Sequence, residues 1–147
     1  MDFDDAYANA AHIPGAAAYP ERWRQKAADF RGEMISARRA ELDISYGQSA
    51  RSRFDLFLPQ RAPQGLLMFV HGGYWLKFDK SYWSHLAAGP LQHGWAVAMP
   101  SYDLCPEVTI AQITQQIVQA VICAAGRVDG RLVLSGHSAG GHLVARM

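Results

Sequence analysis

The sequence predicts an α/β fold, a mostly parallel sheet with an antiparallel N-terminal hairpin and helices on both faces. Three observations carry this. Residues 66–70, 95–99 and 132–134 are apolar at every position, the signature of strands covered on both sides. Helically spaced apolar residues fill the intervals between them, so these strands are joined by crossover helices. Upstream, Leu42, Ile44 and Tyr46, then Phe54, Leu56 and Leu58, alternate with polar neighbours across the turn at residues 47–50, which reads as a hairpin with one wet face.

In chain order, Pro14-Gly15 marks a turn and Pro20-Glu21 opens a helical segment running to about residue 40. Trp23, Ala27, Phe30 and Met34 recur there at spacings of three and four. Residues 1–40 are therefore read as an N-terminal helical segment packed on the body, and residues 41–147 as the body itself. Pro59 ends the hairpin. Residues 81–93 suggest a helix interrupted near Gly89-Pro90, and Pro100 stops the strand that follows. Ile110, Ile113, Ile117, Val118, Val121 and Ile122 lie on one helical stripe before Asp129-Gly130 turns the chain into its last strand.

Composition narrows the function. With 14 basic and 13 acidic side chains in 147 residues, nothing favours nucleic acid or an anionic membrane, and a small-molecule partner is expected. Cys105 and Cys123 are too few for a disulfide framework and have no metal-site spacing. The first seven residues hold three aspartates and no basic residue, unlike a signal peptide, so a cytoplasmic location is expected. Association into a homodimer is left open.

Residues 136–140 read Gly-His-Ser-Ala-Gly directly after the last strand. That is the setting of a nucleophile elbow, in which a sharp strand-to-helix turn exposes the serine and leaves no room for a Cβ at the glycines. Ser138 is the candidate nucleophile. The competing reading is that Ser138 only caps a helix. A second stretch, His71-Gly72-Gly73-Tyr74-Trp75, follows a buried strand at the carboxyl edge, where ligands bind in open α/β sheets. Its glycines allow backbone N–H groups to approach a developing oxyanion, a contribution of about 3 kcal/mol per donor. Gly72, Gly73 and Tyr74, with Ala139 after the nucleophile, are the candidate oxyanion-hole residues. Trp75 and Tyr102 are the candidate substrate-binding aromatics, with Trp83 as a further wall residue.

These motifs, together with residues 102–107 and the continuation Gly141-His142-Leu143, resemble the α/β-hydrolase fold and, within it, the hormone-sensitive-lipase-like esterases. The Tyr-Trp after the two glycines is similar to the kynurenine formamidase (arylformamidase) branch. The resemblance covers most of residues 41–147. It implies hydrolysis of an aryl formamide of the N-formyl-kynurenine type without a metal or organic cofactor, with the oxyanion held by Gly73, Tyr74 and Ala139. A general carboxylesterase and a non-catalytic hydrolase-like binding module are the alternatives.

A serine in this fold is followed along the chain by an acid and then a histidine. The nine residues after Ser138 contain no Asp or Glu, and their only histidine, His142, is one helical turn away. The expectation is an N-terminal portion of a hydrolase domain, truncated after the elbow and inactive alone.

Overall fold

The computed structural model describes residues 2–147. Strands β1 (Ala40–Ser45), β2 (Arg53–Phe57), β3 (Gly65–Val70), β4 (Ala96–Pro100) and β5 (Arg131–Gly136) form one sheet in the order β1-β2-β4-β3-β5. β1, β2 and β4 pair antiparallel in turn, whereas β3 pairs parallel with both β4 and β5. The helices are α1 (Phe3–Ala6), α2 (Tyr19–Ser36), α3 (Ala88–Gln92), α4 (Ile110–Ala125) and α5 (Ala139–Ala145). Among the described residues no helix is long and apolar enough to cross a membrane.

The period of two along the central strands divides the core. Leu66, Met68 and Val70 of β3 and Ala96 and Ala98 of β4 pack with Ile113, Ile117 and Leu143 of α4 and α5. Leu67, Phe69, Val97 and Met99 face the opposite layer, built from Trp23, Phe30 and Met34 of α2 and Leu91 of α3. Thr109 starts α4 with a reciprocal cap: its hydroxyl accepts from Gln112 N–H at 3.3 Å while the Gln112 amide oxygen accepts from Thr109 N–H at 2.7 Å.

Two expectations change. Residues 81–93 are not one interrupted helix but two short 3₁₀ turns, Lys80–Tyr82 and Ser84–Ala87, followed by α3. Pro90 has no N–H to give a continuous helix, so it is accommodated in the first turn of a new one. On α4 the buried stripe is Ile113, Ile117, Ala120 and Ala124, while Val118 and Ile122 of the expected stripe are exposed. Small alanines let α4 lie close to the sheet, and that rotates the two larger residues outward.

The loop after β3 is anchored to the hairpin by charge. Lys80 Nζ lies 2.6 Å from Asp55 Oδ1 and 2.7 Å from Asp43 Oδ1. Asp55 is fully buried on β2 and also accepts the Asp43 N–H at 2.9 Å, where β1 bulges and Asp43 takes φ +57°. Arg51 adds a second tether, donating through Nε to the Tyr102 carbonyl at 2.7 Å and through Nη2 to the Phe78 carbonyl.

Candidate active site

β5 delivers Ser138 into α5 through a turn that only this sequence pattern tolerates. Ser138 is exposed, sits at φ +53° and ψ −120°, and its side chain makes no capping hydrogen bond to α5. A helix-capping serine takes extended backbone angles and accepts an N–H from the first turn, so the capping reading fails and the hydroxyl is left available. The glycines are sterically required. A Cβ on Gly136 would meet the backbone of Gly140, and one on Gly140 would meet the carbonyl oxygens of Val70 and His71.

The 71–75 loop lies against this elbow. A Cβ on Gly72 would come within 2.7 Å of the His137 carbonyl oxygen and 3.0 Å of Ser138 Cβ. Gly73, Tyr74 and Trp75 then run at φ +122°, +56° and +59°, a left-handed turn closed by Leu76 and Lys77 N–H donating to the Gly73 carbonyl at 3.0 and 3.1 Å. Holding two non-glycine residues at positive φ costs of order 1–3 kcal/mol each, and such strain collects at functional loops. Among the described residues the amides of Gly73, Tyr74 and Ala139 donate to no backbone or side-chain acceptor. Three free N–H groups thus flank the exposed serine. Gly73, Tyr74, His137 and Ser138 share one cleft of about 560 Å³.

His71 and Tyr102 support the loop from beneath. Their rings stack at 4.3 Å and 9°, and the Tyr102 hydroxyl donates to the His71 carbonyl at 2.7 Å. Burial pushes the His71 imidazole down to about 4, against the opposing effect of its Nδ1–H donating to the Gly72 carbonyl at 2.7 Å. The unfolded imidazole keeps its ordinary value of 6.5, so between these limits the unfolded chain binds more protons than the folded one. Stability is therefore complete above pH 6.5 and falls as pH drops toward 4, by about 3 kcal/mol in total. Denaturant titrations at pH 7 and 4.5 should show this loss in the native chain and a smaller one in His71→Gln.

Of the aromatics expected to bind substrate, Tyr102 is fully buried beneath the loop and Trp75 packs against the core and edge-on to His142 at 5.2 Å. Neither lines the Ser138 cleft, because the left-handed turn at Gly73–Trp75 carries the chain back over the α4–α5 layer. Trp83 does line the cleft, joined there by Tyr19 and Trp23 from the N-terminal segment. The three-four spacing of Trp23 was visible in the sequence, but it signals only a buried helix face. His142 contacts Trp75, and among the described residues no side chain hydrogen-bonds the Ser138 hydroxyl.

A serine on a strained strand-to-helix turn, faced by a glycine loop at the carboxyl edge of a mixed sheet, defines an α/β-hydrolase. Residues 54–147 match the BD-FAE family, and the chain belongs to it. It is 32% identical over 110 residues to kynurenine formamidase of Drosophila melanogaster, covering 71% of this chain and 36% of that protein. A crystal structure of a proposed thioesterase from Silicibacter sp. superposes with a TM-score of 0.96 at 65% identity, over 100% of this chain and 55% of that one. Esterase B from Lactobacillus rhamnosis gives a TM-score of 0.64 at 25% identity, over 88% and 47% respectively. The chain spans about a third of the curated relatives it matches and about half of these solved structures.

Proposed function

We propose that the protein is a serine hydrolase that cleaves an aryl formamide of the N-formyl-kynurenine type, with Ser138 as nucleophile and Gly73, Tyr74 and Ala139 as oxyanion donors. The observation that carries this reading is the exposed, uncapped Ser138 at φ +53° beside three amides without acceptors. Similarity to a protein named kynurenine formamidase supports the formamide, and similarity to an esterase supports small carboxylic esters as the second substrate class. In the reaction Ser138 Oγ bonds to the formyl or acyl carbon and its proton passes to a base. The carbonyl oxygen takes the negative charge and receives the three N–H groups. Collapse breaks the C–N or C–O bond, the base returns the proton to the departing amine or alcohol, and water repeats the sequence to release formate or the acid.

No base is bonded to Ser138 among the described residues, so these 147 residues on their own are expected to turn over slowly. The test measures hydrolysis of N-formyl-kynurenine and of 4-nitrophenyl acetate by the protein and by Ser138→Ala. Loss of both activities in the variant with the formamide preferred in the parent supports the reading. Ester preference assigns an esterase, and turnover that survives in Ser138→Ala overturns the serine mechanism.

A further inference from the structure

The N-terminal segment reaches over the sheet to the nucleophile. Tyr74, whose amide flanks Ser138, donates its hydroxyl to the Tyr7 carbonyl at 2.8 Å, pinning the stretch before α2 beside the loop. From there Ile13, Tyr19 and Trp23 line the 560 Å³ cleft together with Phe78, Trp83 and Ser138 itself. The wall is a continuous aromatic series: Tyr19 stacks on Trp23 at 5.9 Å, Trp23 meets Trp83 at 5.0 Å and Phe78 at 6.2 Å, and Trp83 lies 5.9 Å from His137. Trp83 is only 7% exposed, yet its indole N–H has no protein acceptor among the described residues. That nitrogen is itself buried, so Trp83 meets the cleft with the rest of its ring rather than with a donor. Lys77 brings an ammonium to the lining, and it stands over the Phe78 ring at 5.4 Å.

We infer that Ile13, Tyr19 and Trp23 are specificity-determining residues, and that with Trp83 they hold a flat aromatic group, neutral or anionic, beside Ser138. This rests on the serine-hydrolase reading for its meaning, since the group held is the aryl part of the substrate. Stacking on the Tyr19 and Trp23 rings favours a planar ring over a saturated one of similar volume. Among the described residues the lining offers the Lys77 ammonium to an anionic ring and no carboxylate to a cationic one.

Benzoate and cyclohexanecarboxylate, which differ in planarity and share charge and size, test it by calorimetric titration. Benzoate should bind about three- to tenfold tighter, the preference an aromatic pair contributes. Ile13 is 49% exposed, so Ile13→Trp fills the cleft without disturbing the core and should weaken benzoate at least tenfold with melting unchanged. Trp23→Leu should abolish the preference between the two acids. Equal affinities, no detectable benzoate binding, or benzoate binding untouched by Ile13→Trp overturns the inference. Because this titration needs no turnover, its failure is distinguishable from failure of the serine mechanism, which is read from hydrolysis by Ser138→Ala.

Discussion

With a base engaged at the nucleophile, Ser138→Ala should lower kcat for both substrates by about 10⁴- to 10⁶-fold while leaving the melting curve in place. The kinetic part follows from chemistry. A methyl group cannot form the acyl intermediate, and what survives is the rate from bound substrate and oriented amides alone. The structural part follows from the geometry at the start of α5. The Ser138 side chain is exposed, caps nothing and accepts nothing from α5, so its removal forfeits no contact. Alanine meets the same strain at φ +53° as serine does, and the difference in stability should stay within about 0.5 kcal/mol. A helix-capping serine would behave in the opposite way, costing about 1 kcal/mol of stability and nothing in rate. Paired thermal melts and initial rates on one preparation separate the two, and unchanged rates with a lowered melting point would refute the nucleophile.

The elbow and the sheet were legible because their causes are local. Runs such as Leu66 to Val70 have no polar position to spare for solvent, and the glycines at 136 and 140 stand where only hydrogen fits. Period-two alternation likewise announced the hairpin, although β2 is buried on both faces, Phe54 and Leu56 packing in the α4–α5 layer and Phe57 in the α2 layer. What escaped the sequence depends on distance along the chain. Asp55 looked like the polar member of an alternating strand, and only the fold brings Lys80 to it from 25 residues away. Trp75 looked like a wall of the site by adjacency, yet the left-handed turn beginning at Gly73 sends it to the core. Conversely Trp23 carried only a helical period and Tyr19 no signal at all, and their place beside Ser138 arises from where α2 docks.

Gly140→Ala should destabilise the chain and damage its activity together, against the intrinsic preference of helices. Alanine is favoured over glycine in a helix by about 1 kcal/mol, and Gly140 lies in the first turn of α5. The same replacement at Gly32, within α2 and with nothing within 4 Å of the new Cβ, should therefore stabilise by about 0.5–1 kcal/mol. At Gly140 the Cβ would enter the carbonyl oxygens of Val70 and His71. Neither can retreat cheaply, since the first accepts His137 N–H at 3.1 Å and the second accepts the Tyr102 hydroxyl at 2.7 Å. α5 must move instead, at about 1–3 kcal/mol, which outweighs the gain in propensity. That shift carries Ser138 away from the amides of Gly73 and Tyr74, and a displacement of about 1 Å is worth roughly 10²-fold in rate. Thermal melts of both variants should therefore move in opposite directions, with kcat falling only for Gly140→Ala. If both alanines raise the melting point, the close approach of α5 to the end of β3 is wrong, and with it the placement of the nucleophile against the glycine loop.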